Sequence, residues 1–360
     1  MTRTHLRGSW RPGPTASPFP PVAALLGVGA LLLGTCPAMA QSISVTSGTA
    51  TVSGTGTAVT GSGTTFGGGA GPNTSSYMTG TVAGVNTVLN LQDGGSIQSI
   101  TTGTGSPAIN ISGGTAGTIS VNGGLNAVQT SITISGGTVT TVNSDRAGVG
   151  ISGGTIQSVN SGFNGIGTIT VSGGNIQKLS AQGNLTINGG TLGSVTTNGF
   201  SFSNGVTVTA GTIQALSLLN PGNNSISGGN ISSLTNSSGG ASISGGSFQS
   251  ISNRGPLSIS GGSFQFITNY NTLNIMGTNL QEIGTPTDAN NDGVFQILGT
   301  LSDGETLNAQ YTQNSGVLEF NGVPATPSPV PEASTAAALG GLLLLGGAGL
   351  AVRARKRAKA

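Results

Sequence analysis

The chain has 360 residues, 65 of them Gly, with only 6% charged and 4% aromatic residues and a formal net charge of +2. Glycine at this density without a Gly-X-Y triplet excludes collagen, and 35% apolar residues argue against a disordered chain. The one His, one Trp and one Cys are His5, Trp10 and Cys36, so removal of the first 40 residues leaves none of the three. Zinc sites of His or Cys, Ser-His-Asp or Cys-His catalysis, and disulfides are then excluded.

Residues 1–40 read as a secretory signal. Arg3, Arg7 and Arg11 precede a Pro-rich stretch and an apolar run from Val22 to Leu33. Small residues at Ala38 and Ala40 then predict cleavage before Gln41 by signal peptidase. The run is short for a membrane span, and the absence of an Arg-Arg pair favours export of the unfolded chain. Leu33-Gly34-Thr35-Cys36 departs from a lipoprotein box at Thr35.

Residues 41–83 are rich in Gly, Thr and Ser with weak alternation at Ile43 and Val45, and are expected to cap a solenoid edge. Residues 84–283 carry a repeat. Copies read ITISGGTVTTV from Ile132, VGISGGTIQSV from Val149, ITVSGGNIQKL from Ile169, ASISGGSFQSI from Ala241 and LSISGGSFQFI from Leu257. A degenerate last copy, LNIMGTNLQEI, starts at Leu273. Each unit holds two short segments with alternating apolar residues, as half-buried strands require. The Gly pair between them permits a corner with positive φ. One unit is too small to bury its own apolar edge, so units must stack.

The predicted fold is therefore all-β, a single-stranded parallel β-helix, right-handed with three faces. Eleven Gly-pair positions from Gly94 to Gly277 suggest eleven coils, a rod on the order of 50 Å long. Stacking would align Gln98, Gln157, Gln177, Gln214, Gln249, Gln265 and Gln281 in one polar ladder. Asn143, Asn160, Asn198, Asn236, Asn253 and Asn269 would form a second at a corner. The Gly pairs lack the Asp of calcium-binding β-rolls, and the period is too short for propeller blades.

Residues 284–322 hold more acids and aromatics, and FQILGTLSDGETLNAQY predicts two strands joined at Asp303-Gly304, a C-terminal cap. Asp288-Ala289-Asn290-Asn291-Asp292-Gly293 matches the first half of an EF-hand loop. Asp288, Asn290 and Asp292 would be the calcium ligands, but Gly299 stands where the closing Glu belongs. A polar turn is the simpler reading, and no other cofactor is expected.

Residues 323–330 form a Pro-rich linker. Residues 331–360 begin Pro331-Glu332-Ala333-Ser334-Thr335, continue as an apolar run from Ala336 to Val352, and end in Arg353, Arg355, Lys356, Arg357 and Lys359. This predicts a C-terminal transmembrane helix of about 20 residues whose basic flank stays cytoplasmic. Its many glycines make it a weak permanent anchor.

Val330 to Thr335, the apolar run and the basic tail together resemble the PEP-CTERM sorting signal of Gram-negative bacteria. Ala333 stands where that motif has its second Pro. The resemblance covers about the last 30 residues. It implies processing by exosortase at the inner membrane and association with an exopolysaccharide or biofilm matrix. The segment 284–322 is similar to the closing segment of repeat-rich members.

Between Gln41 and Val330 eight acids face three bases, Arg146, Lys178 and Arg254, so the basic character belongs to the two ends. Nucleic-acid binding, which needs a basic patch, is not expected. Glycosidases need two neighbouring carboxylates, and the coils offer only Asp93, Asp145 and Glu282, two or more units apart. A polysaccharide lyase or hydrolase is thus the third choice. Phe248, Phe264 and Phe266 in late coils read as packing before sugar stacking. No stretch suits an autotransporter barrel. The expectation is a non-enzymatic exported rod, membrane-anchored as a precursor and then placed at the cell surface or in the matrix. An adhesin or glycan-binding module is the alternative.

Overall fold

A computed structural model describes residues 41–67, 70–121, 130–161, 167–198, 205–237, 239–284 and 293–325. These residues form strands and turns with no helix, as one parallel β-solenoid of about nine turns. The expected signal (with Ala38 and Ala40), the half EF-hand loop (Asp288, Asn290, Asp292), the motif Val330–Thr335 and the basic tail lie outside the described residues.

Register explains why the repeat folds this way. Ile134, Ile151, Val171, Ile187, Val208, Ile226, Ile243, Ile259 and Ile275 stand directly above one another, one per coil. A second inward row runs Val139, Ile156, Ile176, Leu192, Ile213, Ile231, Phe248 and Phe264. All are buried. Burying a side chain of this size contributes about 1.5–3 kcal/mol, and the stack repeats that contribution coil after coil.

Corners require glycine for two separate reasons, seen at Gly153-Gly154. A Cβ on Gly153 would sit 2.2 Å from the Ser135 carbonyl oxygen of the coil below, and Gly154 has φ +81°. A second bend falls at the glutamine. Within Thr155–Ser161 the pairing to the next coil runs Ile156 to Ile176 and then Ser158 to Lys178, passing over Gln157. Two outward residues in succession there mark a bend rather than a continuous strand.

Both ends depart from the expected boundaries. Ser42–Val45 and Thr49–Ser53 already stack in parallel on Ser76–Leu91, so the rod starts within the segment expected to be a cap. Their alternating inward Ile43, Val45, Ala50 and Val52 match the core rows. The capping role falls to Gly56–Thr60 and Thr64–Gly67, which fold back antiparallel on them.

At the other end, Leu273–Ile275 stacks on Leu257–Ile259, but Gly277–Ile283 leaves the stack and pairs antiparallel with Gly293–Leu301. The vacated place on Phe266–Asn269 is taken by Gln310–Gln313, and Val317–Phe320 covers Thr272–Ile275. The turn at Asp303-Gly304 is formed as the sequence predicts. Asp303 accepts the Gly262 N–H at 2.9 Å and the Glu305 N–H at 3.0 Å, tying the cap to a glycine corner. Turns number about nine where the sequence suggests eleven, and the last repeat unit leaves the stack.

Candidate functional site

The two amide ladders expected from the sequence separate into different environments. All seven glutamines are exposed, six at the bend of a coil and Gln281 on the strand that leaves the stack. The asparagines divide between two rows. Asn160 donates to Asn143 at 3.0 Å on the outer surface. Asn236, Asn253 and Asn269 instead point inward and are fully buried. Asn236 donates to Asn253 at 2.9 Å, Asn253 to Asn269 at 2.8 Å, and Asn269 to the Tyr311 hydroxyl at 3.2 Å. Each also donates its second N–H to a carbonyl of the following corner, at Pro256, Thr272 and Val317. Asn198 joins neither row by a side-chain bond, and its Oδ1 is buried without a hydrogen bond.

The split follows from strand parity. Asn143 and Asn160 lie one residue closer to their Gly pairs than Asn236, Asn253 and Asn269 do. A one-residue shift moves a side chain to the opposite face. Counting from each Gly pair would have found this.

The aromatics of the late coils divide as well. Phe248 and Phe264 are inside, ring centroids 5.2 Å apart and nearly parallel. Phe266 points outward between Ser250 and Gln310 and is 51% exposed. Tyr270, 42% exposed, is a surface aromatic that sequence reading did not single out. The Arg254 guanidinium lies 5.0 Å from its ring centroid, a cation–π arrangement.

Next to this corner is a shallow groove of about 440 Å3. One wall is the stacked row Ser225, Ser242, Ser258 and Asn274. The other is the corner row Asn223, Gly240, Pro256 and Thr272. Between them Asn224, Ala241 and Leu257, each with a buried side chain, line the floor. Asn224 is buried with its amide spent on backbone groups, accepting from Val206 N–H at 3.2 Å and donating to the Gly222 and Gly240 carbonyls. A Cβ on Gly240 would meet nothing within 4 Å, so this wall is low for want of a side chain. Arg254 and Tyr270 stand two residues before the wall residues Pro256 and Thr272 and do not themselves line the groove.

The acids weighed for catalysis stand apart. Asp93 follows strand Ser76–Leu91 and Asp145 follows Thr138–Ser144, with whole coils between. Glu282 is 3% exposed, its Oε1 without a hydrogen bond, and it borders a cavity of about 320 Å3 with Leu280, Phe320 and Val323. Burial pushes its carboxyl from 4.5 up to about 7. Comparison with protein-family models, curated proteins and solved structures finds no match to this chain.

Proposed function

We propose that this chain is an exported, non-enzymatic structural protein, delivered to the cell surface or an exopolysaccharide matrix after exosortase processing of its C-terminus. The supporting observation is a parallel rod whose two ends are each closed by antiparallel strands. Closed ends keep a solenoid from extending by edge pairing, so the rod suits a discrete surface element. The inward Asn236, Asn253 and Asn269 are hydrogen-bonded to one another, and Asp93 and Asp145 lie in different coils. The order of Val330–Thr335, apolar run and basic tail supplies the sorting half of the reading. Residues 1–40 are taken as the signal peptide, 331–360 as a transient membrane anchor, and the solenoid as right-handed.

Deleting residues 331–360 and fractionating the cells tests the proposal. The shortened protein should fail to reach the surface or medium in its processed form, whereas unchanged delivery would sink the sorting reading. A second reading, glycan binding, is favoured by the groove and by Tyr270, an exposed aromatic two residues before its wall residue Thr272. A glycan array separates the two, since a passive matrix element selects no ligand.

A further inference from the structure

We infer that the groove between the row Ser225, Ser242, Ser258, Asn274 and the row Gly240, Pro256, Thr272 is a binding site for an extended, neutral polysaccharide chain, with Tyr270, two residues before the wall residue Thr272, as a stacking platform. The inference deepens the glycan-binding reading by naming the site and the ligand class.

Three physical features select this occupant. The groove crosses successive coils, so equivalent groups repeat at about 4.8 Å, close to the rise of one sugar in an extended pyranose chain. A ligand with a matching repeat can place one hydroxyl edge against each of Ser225, Ser242 and Ser258 and against Asn274. The exposed lining is largely apolar, and the walls carry the hydroxyl and amide groups of Ser225, Ser242, Ser258 and Asn274. A pyranose has the same division, with C–H faces and a hydroxyl rim. Tyr270 offers an aromatic face backed by Arg254, and aromatic side chains with a polar tip serve such half-wet contacts.

The same geometry argues against a peptide. Extended peptides gain affinity by adding to a strand edge, but the floor strands are paired with coils on both sides. Among the described residues no charged side chain lines the groove, which argues against a polyanion. The site's remaining asset is hydroxyl-to-hydroxyl recognition over an apolar floor.

Isothermal titration calorimetry of the full chain with cellohexaose, maltohexaose and hexagalacturonate tests the site. One of the two neutral hexasaccharides should bind, and raising the salt concentration should leave that affinity unchanged. Gly240→Phe should weaken binding roughly tenfold by raising the low wall into the groove, and Tyr270→Ala should weaken it about fivefold. Circular dichroism confirms the fold of each variant. Tyr270→Ala, at an exposed position, carries the test alone if Gly240→Phe fails to fold. Absence of binding by either neutral sugar overturns the inference, as does wild-type affinity in the folded variants. Preferential, salt-sensitive binding of hexagalacturonate would overturn the neutral assignment. Any of these failures would leave the sorting of the rod standing, because that is read from cell fractionation.

Discussion

The Asn253 side chain donates to the Asn269 side-chain Oδ1 at 2.8 Å in the buried interior, 16 residues along the chain and one coil up. With Asn236 below and Tyr311 above, this bond belongs to a polar column that fixes how the last coils and the cap are stacked. Inside a protein an unpaired amide costs about 1–3 kcal/mol. Asn253→Ala removes the partner of both neighbours and should destabilise this end by about 3 kcal/mol. A lowered urea midpoint by circular dichroism checks the size. Faster hydrogen exchange confined to Asn230–Asn269 checks the location.

The column starts badly. Asn236 Oδ1 is buried without a hydrogen bond, and the residue beneath it in register is Leu218. An Asn at 218 would present a donor to that oxygen, in the direction the column already runs. Leu216, two residues earlier, stacks between Val195 and Leu234 and has no such neighbour. Leu218→Asn should therefore cost about 2 kcal/mol less than Leu216→Asn. Equal urea midpoints for the two variants would show that the orphan oxygen has no bearing on stability.

Gly150 and Gly153 are three residues apart and behave oppositely. A Cβ on Gly150 meets nothing within 4 Å, whereas one on Gly153 collides with the backbone of Ser135. Gly150→Ala should be neutral or stabilise by about 0.5 kcal/mol, since Gly weakens a strand. Gly153→Ala should cost about 2 kcal/mol or more, because backbone of the coil below must shift. Thermal unfolding of the pair reads the contrast directly.

Glu282 makes the C-terminal cap sensitive to pH. Burial raises its carboxyl from 4.5 to about 7, so the folded chain holds this proton more tightly than the unfolded chain. Stability is then full below about pH 4.5 and declines as pH rises through 7. With water reaching one side of the cavity, the loss between pH 5 and pH 8 should be about 2 kcal/mol. Glu282→Gln should abolish that slope and exceed wild type in stability at pH 8. Urea titrations at the two pH values decide it. A slope that survives the substitution would assign it to another group.

Much of the rod was legible because its determinants are local and repeated. The alternation at Ile132 and Ile134, the Gly pair and the second apolar segment recur often enough to impose stacking. The turn at Asp303-Gly304 was likewise written in its residue types. The ends were harder. Ser42–Val45 has the same in-out pattern as a repeat but no Gly pair following it, so composition disguised a coil as a cap. Gly277–Ile283 resembles a repeat yet leaves the stack, because Gln310–Gln313 occupies its place. Competition between segments far apart in sequence leaves no local mark.

The candidate site was less legible still. The asparagines looked alike as a list, and only their parity sends Asn143 outward and Asn253 inward. Tyr270 gained interest from its neighbours, Arg254 one coil below and the groove behind Thr272.

By itself the sequence determined a stacked all-β rod, since units of this size have no other way to bury Ile and Val, and it determined where the reactive side chains are missing. The tertiary structure alone decided which segment closes each end, which amides are dry, and that Gly240 and Ser242 border a groove. These depend on what lies one coil above or below, and vertical neighbours are 16 to 23 residues apart within the repeats and 37 to 45 at the two ends. Register converts that sequence distance into contact.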